Sequence, residues 1–179
     1  AALGVKLQQV NLFEPIRQRV HIAQKTVKYQ PIDKLYDGFI TLLAGAHGLV
    51  EINTRLRADP GLQAAFGRTG CAEQSVVQQT LDRCTTENVA QMQQALDCIY
   101  REHSRGARHT YQAEWQVLDV DMSGWVCGKK AEFASKGYFA NQERNRRGRQ
   151  LGRVLATRYQ EVVVDRLFAG NRQLHTTLQ

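Results

Sequence analysis

The chain has 179 residues, 42% of them hydrophobic, with a net charge of +7, enough for one ordinary domain or two small ones. A mean hydropathy of -0.45 and the lack of any apolar run near the roughly 18 to 20 residues of a spanning helix argue against a membrane protein. Cys71, Cys84, Cys98 and Cys127 form no CxxC pair and have no histidine at ligand spacing. They argue against a zinc site and read as reduced thiols in a cytoplasm.

The opening residues show no signal-peptide progression, and a start at Ala1 points to further residues upstream. Residues 1 to 30 carry Leu7, Val10, Leu12, Phe13, Ile16, Val20, Ile22 and Val27, which line short helical pieces broken or started at Pro15. After Pro31, the spacing of Leu35, Phe39, Leu42 and Leu43 predicts a helix closing at Gly45. A segment through Leu49, Ile52 and Leu56 ends near Asp59-Pro60, and a short helix over Leu62 to Phe66 ends at Gly67. The next runs from about Ala72 to Cys84, with Val76, Val77 and Leu81 inward. Thr86 is placed as the cap of a helix through Met92, Leu96 and Ile99, with Asn88 in place of a capping-box glutamate. Residues 105 to 113 are polar, basic and contain Gly106, a plausible junction.

Beyond that junction the period changes from helix to strand. Trp115 to Asp121 reads as a strand, Arg149 to Thr157 as a second, and Glu161 to Phe168 as a third. The last two are close enough for a hairpin. Asn171 is expected to cap a helix beginning at Arg172. The reading is therefore α+β, an all-helical region over 1-108 followed at 109-179 by antiparallel strands.

The charge is sorted along the chain. Residues 1 to 128 hold 13 basic and 13 acidic side chains, whereas 129 to 153 hold Lys129, Lys130, Lys136, Arg144, Arg146, Arg147, Arg149 and Arg153 against Glu132 and Glu143. A surplus concentrated in this way points to a polyanion. Guanidinium groups pair bidentately with phosphate, glycines let a backbone approach, and Tyr138 and Phe139 are placed to stack or pack. The segment carries no base code, so it predicts affinity and salt sensitivity.

Two further constellations matter. Asp119 and Asp121 lie on one face of the first strand, and a carboxylate inside a sheet is costly unless paired or bound to metal. Mg²⁺ takes one or two carboxylates with water and substrate phosphates, and a metal pair can assist phosphoryl transfer. An exposed strand face is the alternative. Over 62-84, a short helix, a glycine-containing turn and a polar-faced helix fit a helix-turn-helix. There Gln74, Ser75, Gln78 and Gln79 would present amides and a hydroxyl to base edges, although Arg83 is the sole cation of the second helix. Ser123 lacks a GxSxG frame, and the five histidines form no HExxH.

Taken together, Asp119-Val-Asp-Met-Ser-Gly124, Gly128-Lys-Lys130, Lys136-Gly-Tyr-Phe139, the run from Arg146 to Thr157 and Glu161-Val-Val-Val-Asp-Arg-Leu167 resemble the DDE transposases of bacterial insertion sequences. Gly45 to Gly67 and Ala72 to Asp82 are similar to the N-terminal DNA-binding region of that family. The resemblance covers essentially the whole chain. It implies the first three strands of a ribonuclease H-like fold, with Asp121 as the first catalytic and metal-binding Asp and Asp119 as the fallback. It further implies Mg²⁺ or Mn²⁺, double-stranded DNA at transposon ends as partner, and a bacterial cytoplasmic, nucleoid-associated location. No small-molecule cofactor and no membrane contact are expected. The family's second Asp and its Glu are not matched, since Asp165, Glu161 and Glu132 are wrongly placed. The expectation is thus a transposase fragment, with a non-catalytic DNA-binding regulator or a decayed copy as alternatives and an RNA-binding protein as a more remote one. Self-association through an uncovered sheet is also expected.

Overall fold

The structure is a computed structural model, and it describes residues 1–25, 28–140 and 146–177. Val27, Glu143 and Arg144 lie outside the described residues. The fold is mixed helix and antiparallel sheet, and the chain divides into two compact units, Ala1–Ile99 and Tyr100–Gln179.

The first unit is helical. Its elements are α1 (Ala2–Gln9), α2 (Glu14–Arg19), α3 (Pro31–Leu43), α4 (Pro60–Ala65), α5 (Gln74–Asp82) and most of α6 (Thr86–His103), with a 3-10 turn at Leu49–Ile52 between α3 and α4. Proline opens α3 and α4 and sits in the first turn of α2, where its missing N–H costs nothing. Asp59 caps α4 by accepting from the Leu62 N–H at 2.8 Å. Thr85, one residue before the expected Thr86, caps α6, its hydroxyl accepting from Asn88 N–H at 3.3 Å while Asn88 Oδ1 accepts from Thr85 N–H at 3.0 Å. Asn88 is three residues after Thr85, so it takes the place of the capping-box acid.

Two apolar clusters hold this unit. Tyr36, Ile40, Ile52, Leu56, Phe66, Cys71, Ala72 and Val77 form one, and Ile16, Val20, Ile22 and Ala95 the other. The buried faces differ from those expected. On α3 the covered positions include Lys34, Tyr36, Asp37, Gly38, Ile40 and Thr41, whereas Leu42 and Leu43 are exposed. Ala95 rather than Leu96 is buried on α6, and Thr80 rather than Leu81 on α5. In each case a polar or small residue is accommodated by a specific partner or a tight approach, which apolar periodicity does not register. Asp37 accepts from Arg68 Nε at 2.8 Å and from Ala72 N–H at 3.0 Å. Thr80 Oγ1 donates to Gln24 Oε1 at 2.7 Å.

The second unit carries β1 (Leu118–Val126), β2 (Ser135–Lys136), β3 (Arg147–Ala156) and β4 (Glu161–Ala169). β1 pairs antiparallel with β3 along its whole length, and β4 and β2 take successive stretches of the other edge of β3. The β3–β4 hairpin turns through Thr157 to Gln160, with Gln160 at φ 54°. A bulge interrupts the β3–β4 ladder at Val154/Leu155. β1 starts later than Trp115 and runs on through Ser123 and Gly124, so Asp121 sits in mid-strand. The helix expected from Arg172 is a single 3-10 turn, Leu174–Thr176.

One face of this sheet is partly covered. Phe139 is buried against Gly124 and Gly148, where any Cβ would meet its ring at 2.6 Å. Gln150, also buried, donates to the Tyr138 and Gly170 carbonyls at 3.1 and 3.3 Å. Both apolar clusters belong to the helical unit, while Trp115, Val117, Trp125, Val126, Val162, Val164 and Leu167 of the sheet unit stay exposed.

Glu161 ties the start of β4 to residues 104 to 106. Burial raises its carboxyl pKa, but the Ser104 hydroxyl and the N–H groups of Gly106 (2.9 Å) and Arg105 (3.1 Å) outweigh that and hold it below the usual range. Because the folded value is depressed, its stabilisation is present above the unfolded carboxylate pKa near 4.5 and is lost as pH falls through the lower folded value. Stability measured against pH should decline more steeply below 4.5 in the wild type than in Glu161→Gln; parallel curves would remove Glu161 from this role.

Candidate nucleic-acid interface

Directly opposed residues in an antiparallel pair share a face, and alternate residues along a strand share it too. The register pairs Asp119 with Leu155, Asp121 with Arg153, Ser123 with Leu151 and Trp125 with Arg149, and Lys136 of β2 with Arg147. Asp119, Asp121, Ser123, Trp125, Lys136, Arg147, Arg149 and Arg153 therefore lie on one face, opposite the face that Phe139 covers. The expected pairing of the two aspartates on one side of a strand holds, and the arginines of β3 join them.

This face is polarised. Arg147, Arg149 and Lys136 occupy the end where β3 begins, while Asp121 sits opposite Arg153, four positions beyond Arg149. At the rise of a strand that is about 13 Å. Lys129 and Lys130, both exposed, are in the loop between β1 and β2. Arg147 and Arg149 each spend one nitrogen on that loop, donating to the Ala134 carbonyl at 3.5 Å and the Glu132 carbonyl at 2.7 Å. Each guanidinium group has five donors, so these bonds leave further ones for a ligand. Arg153 differs: it makes a bidentate pair with Asp165 at 2.8 and 2.7 Å, which raises its pKa. It is the least available of these cations. Arg146 is exposed just ahead of β3, and Arg144 is not among the described residues.

The aromatic pair divides its labour. Phe139 packs under the sheet, whereas Tyr138 is 86% exposed. Tyr138 lines a cleft with Met122, Gly124 and Gln150, on the face opposite the cations, whereas the exposed Trp125 shares the face of Arg149.

Asp119 and Asp121 are both exposed, so the burial cost that motivated a metal does not arise. Among the described residues neither carboxylate has an ion-pair or hydrogen-bond partner, and no group of three or more His, Cys, Asp or Glu could hold a metal. Two free carboxylates on one face still match the one or two that Mg²⁺ takes alongside water and substrate phosphates.

The helical segment over 62-84 departs from a compact helix-turn-helix. α4 and α5 are present, but residues 66 to 73 connect them, eight residues against the three or four of that motif. Ser75, Gln78 and Gln79 are exposed on α5, and Gln74 is half-buried. Gln78 donates to Asp82 at 2.8 Å, and the Gln74 N–H donates to Asn53 at 3.2 Å. Gln74, Ser75, Gln78 and Gln79 offer amides and a hydroxyl, none of them charged. A basic feature that sequence reading passed over lies instead around Lys25, Lys28, Lys34 and Arg57. Their separation along the chain hid it.

All four cysteines are free thiols, and no helix of the described residues is long and apolar enough to cross a membrane. Comparison of the chain with protein-family models, curated proteins and solved structures gave no match.

Proposed function

We propose that this chain binds double-stranded DNA through the cationic end of its sheet and belongs to a DDE transposase-like protein, with Asp121, assisted by Asp119, as a metal-binding carboxylate of strand cleavage and transfer. The observation that carries the DNA reading is the shared face of Lys136, Arg147 and Arg149, bordered by the Lys129-Lys130 loop. The sequence resemblance supports the transposase reading, and the antiparallel order β1-β3-β4 agrees with the opening strands of a ribonuclease H-like sheet. Bound Mg²⁺ would supply charge neutralisation beside a phosphate; Asp119 and Asp121 would hold it, and the arginines would position the DNA backbone. In this reading the cations bind and position the DNA, and the two aspartates serve the metal.

The test is duplex-DNA affinity as a function of salt. Neutralising about four phosphates gives a slope of log K against log salt near -3.6. A slope close to zero, or preference for structured RNA over duplex DNA in competition, sinks the reading. The carboxylates make a separate prediction. Without divalent cations, D119N/D121N should bind DNA several-fold more tightly, because two negative charges leave a phosphate-facing surface. Added Mg²⁺ should close that gap by raising the wild type. Equal affinities in both conditions would detach the aspartates from the DNA face.

A further inference from the structure

The helical unit holds a cleft of about 480 Å³ lined by Gln24, Lys25, Lys28 and Tyr29 and by residues of α3 and α5. Lys25, Lys28, Lys34 and Arg57 line it against a single carboxylate among the described residues, Glu73, and Glu73 is already paired with Arg57 at 3.1 Å. Lys34 is the unusual member, since it is only 4% exposed and forms no ion pair among the described residues. The acids beside it on α3 are taken: Asp33 by Arg17 and Arg68, both at 3.2 Å, and Asp37 by Arg68 at 2.8 Å. Its ammonium donates to Gln24 Oε1 at 3.1 Å, and that oxygen also accepts from Thr80 Oγ1 at 2.7 Å. An ammonium has three donors, so a neutral amide oxygen shared with a hydroxyl leaves this buried charge largely uncompensated. Burying a cation in that way is costly unless an anion completes it.

We propose that this cleft is a binding site for a phosphoryl oxyanion, with Lys34 at its floor and Lys25 and Lys28 at its mouth. Both outer lysines are exposed. Cys71 on the wall adds no competing charge, because burial, reinforced by Asp37, pushes its thiol up to about 12. Tyr29, Ala72 and Val76 give the cleft an apolar side, and its volume exceeds that of a lone phosphate group. It therefore suits a phosphate carrying an organic substituent. The site is independent of the sheet face, so either reading can fail without the other.

The experiment titrates the full chain with inorganic phosphate at ionic strength matched with sodium chloride, reading heat and thermal unfolding. Saturable binding with a raised Tm is expected, abolished in Lys34→Met and weakened at least tenfold in K25A/K28A, whose exposed positions do not threaten folding. A wild type that responds to phosphate no more than to chloride overturns the proposal, as does binding unchanged in both variants. Duplex DNA, run against the same variants, separates the sources of the phosphate. Loss of DNA affinity in K25A/K28A, with phosphate competing, assigns the site to a nucleic-acid backbone; intact DNA affinity with lost phosphate binding assigns it to a small phosphorylated molecule.

Discussion

Asp37→Ala should destabilise the helical unit by about 3 to 5 kcal/mol, the range for removing one partner of a buried ion pair. Asp37 is fully buried and holds three groups: Arg68 Nε at 2.8 Å, an Arg68 terminal nitrogen at 3.4 Å and the Ala72 N–H at 3.0 Å. The Arg68 side chain is itself only 10% exposed. Burial alone would lower the pKa of Arg68, yet the bond to Asp37 and the charges of Asp37 and Asp33 raise it. Without Asp37 that guanidinium keeps one carboxylate among the described residues, Asp33, beside the Tyr29 ring, and the Ala72 N–H loses its acceptor inside the main cluster. Asp37→Asn retains an acceptor for Ala72 and should lose less. Urea unfolding followed by helical circular dichroism measures both; a loss below 1 kcal/mol for the alanine variant would show that the pair is not structural.

The second large effect is on binding. K129A/K130A/K136A/R147A should weaken duplex-DNA affinity roughly 100- to 1,000-fold near 0.1 M salt and flatten the salt slope by about 3 to 4, since each phosphate contact contributes about 0.9 to that slope. All four side chains are exposed, so stability should change by no more than about 0.5 kcal/mol for each. The sorting of contacts is informative as well. Arg153→Ala should affect DNA less than Arg147→Ala, because Arg153 is already committed to Asp165. Replacing Gln74, Ser75, Gln78 and Gln79 by alanine should leave the slope intact, as none is charged.

Much of the sheet was legible because strand signals are local. Alternation placed Asp119 and Asp121 on one side of β1, and the short gap between the last two strands announced their hairpin. The pairing of β2 with β3 was not legible, since two residues carry no period of their own. Nor was the pairing that puts Arg153 against Asp165, because register across strands is not written in either strand alone. In the helices, the positions of elements were readable and their buried faces were not. Lys34, Asp37 and Thr80 look like surface residues in any apolar pattern, and only their distant partners, Gln24 and Arg68, explain their burial. The same reason hid the lysine cleft, whose members come from four separate stretches of chain. Of the candidate site, the cationic segment was plain from charge counting; its division into committed and available arginines needed the geometry.

The most direct test of the central claim is residue-by-residue mapping of amide NMR shifts on titration with a short duplex. The account predicts perturbations at Lys129, Lys130, Lys136 and the start of β3 from Arg146 to Arg149, strongest where the cations share one face. Perturbations confined to α5, at Gln74 to Gln79, with the sheet unmoved, would contradict it.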